Sequence, residues 1–150
     1  MLSEIGLFSE FGPAELFEVA RLVSLEDYRR NDLIVAEGSP GDRLFFIVSG
    51  AVRVSRTIPG IGEEALAILP AGSYFGEMAL FGDQTRSADV YADKRSTMLI
   101  LFIDEFRELL EARPELAAKF LWACSRTLAE RVRQANAKVT FLSAAGRFGN

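Results

Sequence analysis

The sequence lacks histidine altogether and contains a single cysteine, Cys124. Without imidazole side chains, the protein has neither the usual zinc and haem ligands nor the base of a Ser-His-Asp or Cys-His catalytic centre. A single cysteine excludes an intramolecular disulfide and is typical of a protein of the cytoplasm. No apolar run approaches the length of a membrane span, and the N-terminus lacks a signal-peptide pattern. We therefore expect a soluble, cytoplasmic protein without a metal site.

Length and charge limit the remaining possibilities. The chain has 150 residues, of which 49% are hydrophobic, so it can bury one sizeable core, and we expect residues 1–150 to form a single domain. The net charge of −4 argues against a wholly basic protein that binds nucleic acid or a membrane surface. The charge is uneven, since residues 115–150 carry +4 and residues 1–114 carry −8. The simplest interpretation of the basic C-terminal part is a solvated helix face.

Short apolar runs separated by turns dominate the first hundred residues. A helix is predicted over 14–24, because Gly12-Pro13 precedes apolar residues at three-to-four spacing. Gly-containing turns then recur at intervals of about ten residues, as in an antiparallel sandwich or barrel. The predicted strands lie near residues 32–35, 44–48, 51–56, 65–69, 87–92 and 97–101. The pattern predicts a mainly β fold with flanking helices.

Two helices are predicted after the last strand. Asp104 suits the N-cap of the first helix, and Pro114 suits the first turn of a second helix that runs to about Ser143. The second helix carries a seam of alternating four- and three-residue spacing, formed by Leu121, Ser125, Leu128, Val132, Ala135, Val139 and Leu142. Such a heptad seam favours a parallel two-stranded partner, so we predict a homodimer through residues 115–142. The alternative is a helix that lays this face on its own barrel.

The segment 75–88 carries the candidate chemistry. A short helix that begins at Gly76 leaves backbone N–H groups unpaired and lets an anion approach the main chain closely. Arg86 supplies a bidentate fork for a phosphate, and Ser87 adds a hydroxyl. Glu77 fits beside an anion only if it accepts hydrogen bonds from hydroxyls of the same ligand, as a ribose phosphate offers. The alternative is an ion pair between Glu77 and Arg86.

Three blocks of sequence, in order, resemble the cyclic nucleotide-binding domain family, which is found in bacterial catabolite-activator-type regulators, protein kinase regulatory subunits and gated channels. They are Glu37-Gly38-Ser39-Pro40-Gly41-Asp42, Leu44-Phe45-Phe46-Ile47-Val48-Ser49-Gly50-Ala51-Val52, and Phe75-Gly76-Glu77-Met78-Ala79-Leu80 with Arg86-Ser87-Ala88. The resemblance covers about residues 4–142. It implies an antiparallel, jelly-roll-like β-roll over about 28–102, helices over about 104–143, and a phosphate-binding cassette at 75–88.

The resemblance also implies a role for each matching residue. Glu77 would accept from the ribose 2′-hydroxyl, Arg86 and Ser87 would hold the cyclic phosphate, and the amides of 76–79 would approach the ring oxygens. On the last helix, the amide of Asn136 would contact a base edge, with a solvated position as the alternative. The predicted ligand-binding residues are Phe75, Gly76, Glu77, Met78, Ala79, Arg86, Ser87, Ala88 and Asn136.

Two positions depart from the family pattern. Thr85 stands where proline is frequent before the cassette arginine, and Asp89 stands where many relatives carry Thr, Ser or a bulkier residue. A carboxylate that faced the ligand would repel a phosphate. We therefore expect the Asp89 side chain to point away from the ligand.

The expected function is a non-enzymatic receptor for cAMP or cGMP that needs no other cofactor. No P-loop and no acidic cluster for Mg²⁺ is visible in the sequence. Only eight residues follow the heptads, too few for a recognition helix, so we expect a stand-alone sensor that binds neither DNA nor a membrane and signals to a partner protein. The alternative is a dimeric interaction scaffold that has lost mononucleotide binding or binds a cyclic dinucleotide.

Overall fold

The computed structural model describes residues 1–82 and 85–147. Within these residues the chain forms eight strands, three α-helices and three short 3₁₀ helices. In chain order the main elements are α1 (Pro13–Ala20), β1 (Val23–Tyr28), β2 (Leu33–Val35), β3 (Arg43–Ser49), β4 (Ala51–Ile58), β5 (Gly62–Pro70), β6 (Tyr74–Phe75), β7 (Asp89–Ala92), β8 (Ser96–Phe102), α2 (Ile103–Ala112) and α3 (Pro114–Arg147). The 3₁₀ helices are Leu2–Glu4, Gly6–Phe8 and Glu77–Leu80.

The strands form two antiparallel sheets of four strands each, in the orders β1-β8-β3-β6 and β2-β7-β4-β5. Inward-facing side chains of both sheets share one apolar cluster, in which Phe45 and Met98 of one sheet meet Val52 and Val90 of the other. The predicted antiparallel β-roll with flanking helices is therefore confirmed.

Strand β3 is a continuous apolar run because both of its faces are buried. Phe45 and Ile47 belong to the cluster between the sheets, whereas Leu44 and Phe46 belong to a second cluster on the opposite face. That second cluster contains side chains of α2 and α3, including Phe106 and Phe120. Because the sheet is covered on both faces, every residue from Leu44 to Ile47 is fully buried and none can be polar.

The beginning of the roll differs from the prediction. Helix α1 ends at Ala20, not at 24, and the roll begins with β1 at Val23, not at about 28. Val23 continues the apolar spacing of the helix, but it pairs with Leu101 of β8. Tertiary pairing therefore overrides a local helical pattern at this boundary.

Three further element boundaries differ from the prediction. Strand β6 lies between the predicted strands at 65–69 and 87–92, where no strand was predicted, and its residues Tyr74 and Phe75 pair with β3. Phe102, not Asp104, precedes the first residue of α2, so Asp104 lies in the first turn, where a carboxylate is favourable next to the helix dipole. Helix α3 extends beyond Ser143 to Arg147, the last described residue.

Helix α3 is buried in its first half and exposed in its second. Leu116, Phe120, Ala123 and Cys124 pack into the core. The seam positions in the second half, Val132, Val139 and Leu142, are all more than half exposed. Of the helices that the structure describes, none has the length and apolarity needed to cross a membrane.

Candidate ligand-binding pocket

Gly76 begins the short helix that the sequence predicts in segment 75–88. Its φ of +93° lies in the left-handed region that favours glycine, and the 3₁₀ helix Glu77–Leu80 follows directly. A Cβ at this position would lie 2.6 Å from the backbone oxygen of Arg43 and 2.8 Å from Nη1 of Arg86. Glycine is therefore required both by the backbone conformation and by the space that the Arg86 side chain occupies.

Arg86 is a buried cation, with 9% of its surface exposed. Its Nη2 donates to the backbone oxygen of Arg43 at 2.7 Å, and its guanidinium lies 5.8 Å from the ring centre of Phe45. Its Nε is buried and has no hydrogen-bond partner among the described residues. Burial lowers the pKa of the Arg86 guanidinium, although the nearby Asp42 opposes this shift. A buried charge with an unused donor is costly, and an anion in the pocket would offset that cost.

Glu77 is almost fully buried, and its partner comes from α3. Its Oε1 accepts a short hydrogen bond from Nη1 of Arg131. The same arginine donates from Nη2 to the backbone oxygen of Tyr74 at 3.2 Å, and its guanidinium lies 5.5 Å from the Tyr74 ring centre. The alternative ion pair between Glu77 and Arg86 is not formed in the part of the chain that the structure describes. The carboxylate instead connects the cassette to the C-terminal helix.

A cavity of about 480 Å³ lies between the cassette, the second sheet and α3. All eight residues predicted between 75 and 88 line it. Its polar lining includes Glu77 and Arg86, and its apolar lining includes Val54, Ile68 and Leu69 of β4 and β5. The cavity therefore suits a molecule that combines an anionic group, hydroxyl donors and a flat apolar body.

The turn at residues 37–42 supports the cassette through its backbone. The Arg86 N–H donates to the oxygen of Ser39 at 2.9 Å, and the Gly38 N–H donates to the oxygen of Arg86 at 2.8 Å. Asp89 points toward the same turn, where its Oδ1 accepts from the Glu37 N–H at 2.7 Å. Asp89 does not line the cavity, so the expectation that its side chain points away is confirmed.

Helix α3 places Arg131 and Gln134 at the cavity, not Asn136. Asn136 is exposed and is not among the lining residues. Two residues along an α-helix correspond to a rotation of about 200°, so Asn136 faces away from the pocket that Gln134 lines. Sequence reasoning missed Arg131, which it assigned to a solvated face. The available signal was chemical, because a carboxylate buried in the cassette requires a cation, but several basic residues of this helix could have supplied it.

Comparisons with known proteins agree with this geometry. The family model described as "Cyclic nucleotide-binding domain" matches residues 25–113. The "CRP-like cAMP-activated global transcriptional regulator" of Mycobacterium tuberculosis is 32% identical over 152 residues, which cover 98% of this chain and 65% of that protein. "Glutaminase 1" of Bradyrhizobium diazoefficiens is 38% identical over 143 residues, which cover 95% of this chain and 22% of that protein. The chain therefore spans less than two thirds of the length of these curated relatives, and only about a fifth of the glutaminase.

A solved structure is similar over most of both chains. The cyclic nucleotide-binding domain from Methylobacillus flagellatus KT superimposes with a TM-score of 0.82 and 27% sequence identity. The match covers 92% of this chain and 82% of that one. The likeness therefore includes the roll and most of the flanking helices.

Proposed function

We propose, because this chain belongs to the cyclic nucleotide-binding domain family, that it is a non-enzymatic receptor for a cyclic mononucleotide, cAMP or cGMP. The observation that carries this proposal is that Arg86, a buried cation, is among the residues that line the pocket. Its Nε is an unused donor among the described residues, and it lies beside the backbone of the cassette. A cyclic phosphate would satisfy this donor after a small shift of the side chain that brings Nε within reach of the ligand.

The other lining residues support one orientation of the ligand. With the phosphate at Arg86 and Ser87, the ribose 2′-hydroxyl would donate to Glu77, and the purine would contact the apolar wall at Val54 and Ile68. One buried arginine lines the cassette end of the cavity, and its volume of about 480 Å³ favours a single nucleotide over a cyclic dinucleotide, which carries two phosphates. Gln134 and Arg131, the two residues of α3 that line the cavity, would face the remaining edge of the ligand.

The proposed signal is a change in the position of α3. In the structure Glu77 accepts from Arg131, so the cassette and the second half of α3 are held together by a charged hydrogen bond. A ribose hydroxyl at Glu77 would share this acceptor and weaken its hold on Arg131. A ligand with differential affinity of about 1–3 kcal/mol for two helix positions is sufficient to shift their populations.

We also propose a homodimer through residues 115–142. The exposed apolar seam at Val132, Val139 and Leu142 supports it, because a helix face of this kind is usually covered in solution. A moved α3 would then present a different surface, in each protomer, to a downstream protein.

A thermal-shift panel tests the proposed ligand. The chain is heated alone and with cAMP, cGMP, cyclic di-GMP or 5′-AMP. A ligand at 100 times its dissociation constant stabilises the folded state by about 2.7 kcal/mol, so cAMP or cGMP should raise the melting temperature by several degrees and 5′-AMP should not. Stabilisation by cyclic di-GMP alone would favour a dinucleotide receptor. No stabilisation by any of these nucleotides would favour an interaction scaffold.

A further inference from the structure

The backbone of the cassette is irregular where it reaches the pocket. Arg86, Ser87 and Ala88 are consecutive, yet all three line the cavity. None of the three belongs to a strand, since β7 begins only at Asp89. The ladder between β4 and β7 ends accordingly at the pair Ser55 and Asp89. Beyond that pair, the cassette needs other groups to hold its position.

Arg56 holds the cassette from the side of β4. Its Nε and Nη2 donate to the backbone oxygen of Ser87 at 3.1 and 3.0 Å. If the register of the ladder continued, Arg56 would stand opposite Ala88. The Arg56 guanidinium therefore supplies side-chain hydrogen bonds at the point where the backbone pairing of the strands stops. Arg56 is exposed and does not line the cavity. It therefore acts on the site through Ser87, without touching the region where the ligand would lie.

Asp89 holds the cassette from the opposite side. Its Oδ1 accepts from the Glu37 N–H at 2.7 Å and ties the start of β7 to the turn that also binds the Arg86 backbone. The two charged side chains thus hold neighbouring parts of the segment, at Ser87 and at Asp89, from β4 and from the 37–42 turn. We refer to Arg56 and Asp89 as the cassette clamp.

We infer that the cassette clamp consists of positioning residues that set the affinity of the pocket for a cyclic phosphate. This inference rests on the proposed function. A phosphate site depends on donors that are already in place, because disorder in the donors must otherwise be removed when the ligand binds. Arg56 keeps the Ser87 hydroxyl and the Arg86 side chain directed at one point, and Asp89 prevents the strand from sliding away from the turn.

The test of Arg56 uses calorimetric titration with cAMP and cGMP. Arg56→Gln should weaken the binding of both nucleotides by about tenfold, because two charged hydrogen bonds to Ser87 are lost. Arg56→Lys keeps the charge but not the two-donor fork, so it should recover only part of the affinity. Arg30→Ala serves as the control, since it removes another exposed arginine that is not a lining residue, and it should bind as the wild type does.

The test of Asp89 is whether its replacement strengthens or weakens nucleotide binding. If its carboxylate mainly repelled the phosphate, Asp89→Ala would bind more tightly than the wild type. The clamp predicts weaker binding for Asp89→Ala, by about fivefold to tenfold, because the acceptor for Glu37 is lost. Asp89→Asn retains an oxygen acceptor and should restore most of the affinity. Thermal unfolding of each variant identifies any that fail to fold. In that case the affinities of Arg56→Lys and Asp89→Asn are compared with that of the wild type.

The outcomes separate this inference from the proposed function. If the wild type binds none of the cyclic nucleotides, the proposed function is wrong, and the inference about the cassette clamp is wrong as well. If the wild type binds a cyclic nucleotide and Arg56→Gln binds it equally well, the inference about the cassette clamp is wrong, but the proposed receptor function is retained. Arg56→Gln should also weaken binding in a Ser87→Ala background, because the bonds from Arg56 end on the backbone oxygen of residue 87, which that variant keeps; unchanged affinity there would overturn the clamp.

Discussion

Replacing Arg86 by alanine is the most direct perturbation of the proposed site. In the structure this guanidinium is already desolvated, with one donor on the Arg43 carbonyl and a buried Nε without a partner among the described residues. The cost of burying the charge is therefore met in the folded protein before any ligand arrives. A phosphate ligand therefore does not have to offset the cost of desolvating this side chain.

The size of the effect follows from the hydrogen bonds that would be lost. A hydrogen bond to a charged group contributes about 1.5–3 kcal/mol, and a bidentate contact with phosphate provides two. After allowance for water that replaces the guanidinium in the variant, we expect Arg86→Ala to cost about 3 kcal/mol, or roughly a 100-fold rise in the dissociation constant.

Stability should change much less than affinity. The variant loses the bond to the Arg43 carbonyl, which costs about 1.5–3 kcal/mol, but it also removes a buried cation whose charged form is disfavoured by burial. We expect these two effects to offset one another, so the melting temperature without ligand should move by only a few degrees.

Isothermal titration calorimetry with cAMP and cGMP measures this prediction. Arg86→Lys is the matched variant, because it keeps the charge and loses the fork, and it should bind with intermediate affinity. Equal dissociation constants for the wild type and Arg86→Ala would refute the assignment of Arg86 as the phosphate ligand.

Three further predictions concern the backbone of the site, the dimer and the buried thiol. Gly76→Ala should destabilise the fold by about 1–3 kcal/mol in thermal denaturation; Gly60→Ala, which also has positive φ but no atom within 4 Å of its added Cβ, should cost less. Val132→Glu should shift the protein toward the monomer in sedimentation velocity, whereas Lys138→Glu, off the seam, should not. Burial raises the pKa of the Cys124 thiol to about 11 from an ordinary 9.0, so labelling of folded protein at pH 8 should be far slower than labelling after unfolding. Because the neutral thiol is favoured in the fold, its contribution to stability is complete below pH 9.0 and is lost as pH rises through about 11.

Local signals in the sequence were sufficient for most of the roll and for the cassette. Apolar runs of strand length between glycine turns predicted six of its strands near their observed positions, and Gly76 predicted the short helix after it. These features depend on residues that are neighbours in the chain. For the same reason, one segment supplied eight of the nine predicted site residues, and all eight line one cavity.

Long-range contacts decided the features that the sequence did not reveal. Strand β1 exists because Val23 meets β8, about eighty residues away, although its spacing continues that of α1. Arg131, not Asn136, lies at the cavity because helical phase and the docking of α3 determine which face meets Glu77.

The composition and turn pattern of this chain are enough to specify a mainly β roll with a short helix after Gly76, since strand length, turn geometry and a glycine-led helix are properties of a few consecutive residues. Tertiary structure alone decided which distant groups complete the site: Arg131 on Glu77, Arg56 on Ser87 and Asp89 on Glu37. Each of these contacts joins elements that are remote in sequence. Their pairing depends on how the sheets and α3 pack, which no local pattern encodes.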